Sequence, residues 1–409
     1  MAEILAKLPE YQVSLSSGFL PADVPLERLP NVHYEPWESL AAALPQLIAD
    51  RTIRERISTL GLLTTDLLSS VEEWRRAYVV LGFLVNGYIF CRSPPSETLP
   101  LCLAQLMMTV PAQLGLPCVP TYSGQTLWNC RQSSAASPSW SDVDRLETLV
   151  SFTGSPEESA FFCASVAIEA CGAPLVPLVL GAIQAARDSD SSLLGRHLGR
   201  ISCTLDDMTS VLPQIHDRCH PKFFYHSLRP YLEGTRDLHS VGLSSGVFFE
   251  TTDGGSYQKH RGPSNAQSAL FPFIDIALGV NHGREHGADS FLQEMRSYMP
   301  GPHRTFLADV ERVVNIRAFV SKALPDDILH AAYESCLVAL ARFRQIHMRI
   351  VARYVVVMAN SRLGVAELAG TDTDTTKPVS IAGSRGTGGT KPIEFLKFVR
   401  DDVLRSVPN

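Results

Sequence analysis

What most constrains this chain is the spacing of its apolar residues. They recur at three- and four-residue steps through segment after segment, and no alternation of strand-like and helix-like runs appears. The stretch ALARFRQIHMRIVARYVVV is the sharpest case: Leu340, Phe343, His347, Ile350 and Tyr354 fall on one face of a helix, while Arg342, Arg344, Arg349 and Arg353 fall largely off it. The same reading makes helices of WESLAAALPQLIAD, TIRERISTLGLL, VEEWRRAYVVLGFLVNGYIF, LPLCLAQLMMTVPAQLG, ESAFFCASVAIEACGAPLVPLVLGAIQAARDS and LLGRHLGRISCTLDDMTSVLPQIHDRC. PKFFYHSLRPYL, QSALFPFIDIALGV, GADSFLQEMRSYM, the run from PDDILHAAY through His347, and KPIEFLKFVRDDVLRSV follow suit. An all-α architecture is the expectation.

A chain of 409 residues exceeds one ordinary core, so two domains are expected. The run SSAASPSWSD is the best linker, which places a boundary near residue 150, with a small, mostly helical N-terminal domain (1–150) and a larger helical one (151–409). Two stretches break the helical pattern. CVPTYSGQTLWNCRQ reads as irregular or short-strand structure, and SSGVFFETTDGGSYQKHRGPSN is polar and Gly-rich. Residues from about 359 to 389 are rich in Thr, Gly and Asp and read as a mobile loop.

The formal net charge of -6 offers no basic face for a nucleic acid. The nine cysteines, an odd number without a C-x-x-C pair, favour reduced thiols and a cytoplasmic address. MAEILAKLPEYQVS lacks the pattern of a signal peptide, and the apolar runs VVLGFLVNGYIF and APLVPLVLGAI fall short of a membrane span. Sparse charged tails suggest a monomer.

Several constellations invite chemistry. His347 on its apolar stripe presents a neutral imidazole to a dry interior, the setting an axial haem ligand needs; the plain alternative is a core histidine bonded to a neighbour. Arg229 stands five residues after Phe224 in FFYHSLRPYLEG, where a planar guanidinium suits a ligand carboxylate or, more plainly, an internal ion pair. Phe161, Phe162 and Ser165 offer an aromatic wall with a hydroxyl one turn on, or ordinary core. The glycine cluster RGTGGTK fails the Walker pattern and reads as a loop able to approach a ligand closely through Thr387 and Thr390, or as a mere connector. His216/His220 and His282/His286 have zinc-like spacing without a third ligand. No G-x-S-x-G elbow exists, so serine-hydrolase chemistry has no support.

Taken together, SFLQEMRSYMPGPHRTFL, the IHMRIVARYV helix and RGTGGTKPIEFLKFVR, in that order, resemble the indoleamine 2,3-dioxygenase family. That resemblance implies a small domain above a larger helical domain that holds haem b. It implies His347 as the axial ligand to the haem iron, with Arg344 and Asp275 as the pair that tethers the ligand helix and a propionate. Arg229 would hold the substrate carboxylate, and Phe224 and Tyr225 would be distal aromatics. Phe161, Phe162 and Ser165 would surround the indole, and Tyr122 would line it from the small domain. Ser264 would sit on the loop over the haem, and Gly386 and Thr387 on the loop beside the substrate ammonium.

The implied reaction is insertion of O₂ across the indole C2–C3 bond of L-tryptophan to give N-formylkynurenine, the entry to the kynurenine pathway. Catalysis would rest on Arg229, Phe224, Ser165 and Thr387, with no obvious distal histidine base, although His226 adjoins the Phe224 region. Alternatives are a weakly active haem-binding sensor or signalling protein, a dioxygenase for another indoleamine or for D-tryptophan, and a helical interaction module without haem. Pro263, Asn265 and Ala266 in the haem loop, Pro230 after Arg229, and the Tyr225 hydroxyl depart from the family pattern.

Overall fold

The computed structural model describes residues 1–133, 139–236, 238–282, 288–322, 327–361 and 392–406. The longer helices are α1 (Glu35–Ala49), α2 (Val71–Phe90), α3 (Leu101–Gln113), α4 (Pro156–Gly172), α5 (Leu175–Arg187), α6 (Ser191–Val211), α7 (Leu270–Leu278), α8 (Ala288–Arg296), α9 (Gly301–Val313), α10 (Asp327–Val351) and α11 (Pro392–Arg405). The chain is mostly helical, as its periodicity demands.

Five short strands sit in the two stretches that break the helical pattern or beside them: β1 (Thr98–Leu99), β2 (Cys130–Gln132), β3 (Leu146–Thr148), β4 (Val247–Phe249) and β5 (Ser256–Gln258). β2 and β3 pair antiparallel, Arg131 opposite Glu147. β4 lies between β1, parallel to it, and β5, antiparallel. The Gly-rich stretch is thus a hairpin docked on the chain just before α3.

Local chemistry sets the helix starts. The Ser70 hydroxyl accepts from the Glu73 amide at 3.2 Å to begin α2. Ser155 caps α4, with Pro156 at its first position and Glu157 and Glu158 in the first turn. Glu158 turns inward and accepts from the Phe152 and Thr153 amides at 2.7 Å each. Asp190 caps α6 through the Leu193 amide at 2.8 Å.

Two long helical expectations break into pieces. The run 156–188 divides at Ala173–Pro174, where proline cannot continue the ladder, into α4 and α5. The run after Asp190 gives way after Val211 to a 3₁₀ turn at Leu212–Gln214, which carries Pro213. Conversely, the helix bearing His347 passes through a π-helical turn at Ala352–Val356 and runs on through Ser361, beyond the start expected for the loop. The rest of that loop lies outside the described residues.

α10 packs along α6 on one side and α11 on another; α6 in turn packs on α4 and α5. One continuous apolar core joins α1 and α2 to these helices. The segment Pro156–Arg187 is long and apolar enough to cross a membrane, yet 72% of its most apolar window is buried inside the protein.

Candidate active site

His347 lies on the inward face of α10, between two cavities of about 220 Å³ and about 480 Å³. It lines both, together with Tyr122, Ser165, Asn265 and Phe395. Its ring is partly accessible by surface area, but protein surrounds it, so what it is exposed to is cavity. Burial pushes its pKa down to about 4, so the imidazole is neutral at any ordinary pH. Neither ring nitrogen has a hydrogen-bond partner among the described residues. A neutral imidazole with a free lone pair, facing open volume, is what a metal's coordination site requires and what a merely structural core histidine lacks.

The smaller cavity gathers most of the residues singled out from sequence: Tyr122, Phe161, Phe162, Ser165, Phe224, Arg229 and Ser264. α4 presents Phe161 and Phe162 side by side and Ser165 one turn on. The Phe161 ring meets Phe224 at a centroid distance of 4.7 Å and Phe162 at 5.5 Å, and Phe224 meets Tyr354 at 5.9 Å, closing an aromatic wall. The Tyr354 hydroxyl donates to the Cys219 carbonyl at 2.6 Å and fixes the far end of that wall.

Phe224 and Arg229 do not share a regular helix. Phe224–Leu228 is a π-helical turn and Arg229–Leu232 a 3₁₀ turn, with Pro230 placed early in the second, where its missing N–H is not needed. Arg229 is wholly buried. The Glu233 carboxylate is 4.0 Å from it, a charge contact rather than a close hydrogen bond. Tyr225 is not on the cavity wall. Its ring lies 5.1 Å from the Arg229 guanidinium and supports it from the side.

Ser264 caps the short turn Asn265–Gln267, its hydroxyl accepting from the Ala266 amide at 3.3 Å. Gln267 stitches this loop in place: its amide nitrogen donates to the Gly262 carbonyl at 2.9 Å and its oxygen accepts from the Tyr122 amide at 2.9 Å. Pro263, Asn265 and Ala266 therefore all reach the cavity.

Asp275 and Arg344 line the larger cavity. Burial pushes the Asp275 pKa up, but the Arg344 guanidinium and His282 outweigh it and hold the carboxyl below its ordinary range. His282, considered above as a zinc ligand, bridges Asp275 at 3.0 Å and Asp402 at 3.3 Å instead. His220 pairs with Glu157 at 3.2 Å on the surface. His226 is exposed, and among the described residues His347 is the one histidine on the smaller cavity. Gly386, Thr387, Thr390 and His286 lie outside the described residues.

Sequence reasoning missed three parts of this site. Phe395 and Leu396 of α11 close both cavities, and Val399 lines the larger; the amphipathic pattern of that helix was the available signal. Gln125 and Thr126 reach the smaller cavity from a π-helical turn, Ser123–Leu127, which has no periodic signature. Glu169, one turn beyond Ser165, is fully buried, and burial raises its pKa to about 7 against hydrogen bonds from Ser268 and Tyr122.

The indoleamine 2,3-dioxygenase family model matches residues 7–406. The chain is 55% identical over 408 residues to a 6-hydroxytryptophan 2,3-dioxygenase of Fusarium equiseti, covering 100% of this chain and 99% of that one. It is 33% identical to an indoleamine 2,3-dioxygenase of Saccharomyces cerevisiae (98% and 93% covered) and 32% identical to indoleamine 2,3-dioxygenase 2 of Homo sapiens (98% and 95% covered). With this coverage from end to end, the chain belongs to the indoleamine 2,3-dioxygenase family of oxidoreductases.

Proposed function

We propose that the protein binds haem b through His347 and opens the indole ring of L-tryptophan, or of a ring-substituted tryptophan, by inserting O₂ across its C2–C3 bond. The observation that carries this reading is that the neutral, unpartnered imidazole of His347 and the buried guanidinium of Arg229 line one cavity. A haem-dependent family makes the cofactor's fit a fair question, and the residues fit it. The imidazole is poised as a donor, open volume lies on both sides of it, and the Asp275–Arg344 pair offers fixed charge at the larger cavity for a propionate. The chemistry a bound haem supplies is the uptake and activation of O₂.

Everything else falls to side chains. Arg229 grips the amino-acid carboxylate in a dry setting, where a charge-assisted bond is strong. Phe161, Phe162 and Phe224 exclude water and would hold the indole in the cavity that His347 also lines. Ser165 and Tyr122, two of the polar residues on that cavity, take the indole N–H in this reading. Among the described residues His347 is the one histidine on the smaller cavity, and this reading assigns no side chain there as a base. With tryptophan the product is N-formylkynurenine.

The relative named for 6-hydroxytryptophan supports a hydroxylated ring as a second reading of the substrate. A non-catalytic haem sensor would have no use for Arg229 and the aromatic wall assembled around one cavity. The test is aerobic turnover by haem-loaded, ascorbate-reduced protein, followed by formation of the formylkynurenine chromophore from L-tryptophan and from its ring-hydroxylated forms. Saturable product formation is expected. A red protein that turns over neither would overturn the reading.

A further inference from the structure

The π-helical turn Ser123–Leu127 places Gln125 on the wall of the smaller cavity, between Tyr122 and Thr126, and packs against α4, which carries Ser165. Gln125 is 2% exposed, and neither its side-chain oxygen nor its side-chain nitrogen has a hydrogen-bond partner. Among the described residues it is the one side chain left with two such buried atoms. The backbone around it is satisfied: the Gln125 amide donates to the Thr121 carbonyl at 3.1 Å, and the Gln125 carbonyl accepts from Asn129 at 3.4 Å. The deficit belongs to the carboxamide alone. A buried amide with neither bond made is costly; no neighbouring protein group supplies a partner, and the open volume that Gln125 lines is this cavity, so a turn of the covered carboxamide toward it would let a bound molecule supply the missing bonds.

The shape of an indole amino acid decides which part of it that is. Its carboxylate goes to Arg229, the one arginine or lysine on this cavity among the described residues, and that holds the ammonium, on the same carbon, at the Arg229 end. Its ring system offers a single polar group, the N–H, for which Ser165 and Tyr122 are already available. An unsubstituted benzo ring has nothing to offer a carboxamide. A hydroxyl on that ring does, since it can donate to the amide oxygen or accept from the amide nitrogen.

We propose that Gln125 is a specificity-determining residue that takes the hydroxyl of a ring-hydroxylated indole amino acid, so that the substrate is a hydroxytryptophan rather than tryptophan itself. This rests on the dioxygenase reading above and narrows it. A site built around a hydroxyl discriminates against the analogue without it, because the site's own polar groups are then left bare.

The test uses the full-length, haem-loaded, reduced enzyme with L-tryptophan, with tryptophans hydroxylated at each benzo carbon in turn, and with the methyl analogue of the best isomer. The best hydroxylated isomer is expected to exceed tryptophan in kcat/KM by at least about tenfold. Gln125→Met, close in volume and without the amide, should cut that ratio by at least about tenfold. A wild-type ratio within about twofold of unity, or one unchanged by Gln125→Met, overturns the assignment. Should Gln125→Met fail to take up haem, the wild-type comparison of hydroxyl with methyl at the same ring carbon decides the matter, and equal kcat/KM overturns it. Optical titration of the ferric enzyme separates this inference from the dioxygenase reading. Tighter binding of the hydroxylated isomer without turnover of any indole sinks the reaction and keeps the role of Gln125, whereas turnover of all isomers alike does the reverse.

Discussion

Arg344 places one guanidinium nitrogen 2.6 Å from one Asp275 oxygen and 2.7 Å from the other, a single helical turn ahead of His347. Its second nitrogen donates to the Val399 carbonyl at 3.1 Å, and His282 joins Asp275 to Asp402. One buried cluster therefore locks α7, α10 and α11 together beside the larger cavity. Asp275→Ala would strand the arginine charge in the interior, with an expected loss of about 3–5 kcal/mol in urea unfolding of the apoprotein. Asp275→Asn, which keeps one acceptor, should lose less. Because the Asp275 pKa is lowered, its contribution is present above the ordinary value of 3.8 and disappears as pH falls through and below it. Equal stability of Asp275→Ala and wild type at pH 7 would remove the cluster from its assigned position.

His347→Ala is expected to fold and to purify without a Soret band, since no other histidine lines the smaller cavity among the described residues. The imidazole makes no hydrogen bond whose loss would destabilise α10, so the variant's far-ultraviolet dichroism should match that of the wild-type apoprotein. A normal Soret band in this variant would reassign the ligand.

Arg229→Ala should raise KM for the amino-acid substrate by about 30-fold or more, the cost of a truncated buried charge contact, while the Soret band persists. The neighbouring Glu233 is also left in a buried setting, so a lower melting temperature should accompany the change. Decarboxylated substrates such as tryptamine should lose nothing further in the variant. An unaltered ratio of amino acid to amine turnover would show that Arg229 serves Glu233 alone.

Two glycines bring the Ser264 loop against the segment that follows Arg229. A Cβ on Gly262 would stand 2.2 Å from the Leu232 carbonyl oxygen, and one on Gly234 would stand 2.3 Å from the Gly262 nitrogen. Both clashes are with backbone, which cannot rotate away. Gly262→Ala should therefore displace Pro263, Ser264 and Asn265 from the cavity and raise KM, with a loss of about 1–3 kcal/mol in stability. Wild-type KM and melting temperature in this variant would mean that the loop tolerates a shift the geometry forbids.

What the sequence made legible follows from how local each signal is. His347 stood out because a 3.6-residue period is written in consecutive residues, and Phe161, Phe162 and Ser165 lie on adjacent turns of α4. Arg229 was conspicuous as an arginine among aromatics, yet its Glu233 neighbour and the tilt of Tyr225 away from the cavity depend on two irregular turns that no period predicts. Gln125 and Thr126 were invisible for the same reason: a π-helical turn shifts the facing of side chains without marking the sequence. The His282–Asp402 contact joins residues 120 apart, and only the folded chain brings them together.

Glu169 gives the last test, because its environment makes a sign-definite claim about pH. Its carboxyl is raised from 4.5 to about 7 by burial, which outweighs the hydrogen bonds it accepts from Ser268 and from Tyr122 at 3.0 Å. The native state therefore holds a proton that the unfolded state releases from 4.5 upward. Stability falls as pH rises through that window and levels off above about 7, for a total of about 3 kcal/mol. Glu169→Gln keeps an acceptor for Tyr122 and Ser268 and has no proton to lose. Its stability relative to wild type should be near zero at pH 4.5 and should climb toward about 3 kcal/mol by pH 8. Urea midpoints of the two apoproteins across that range decide it. Parallel curves would mean that Glu169 is ionised in the native protein and that Tyr122, which lines both cavities, is held by a full negative charge rather than by a neutral acid.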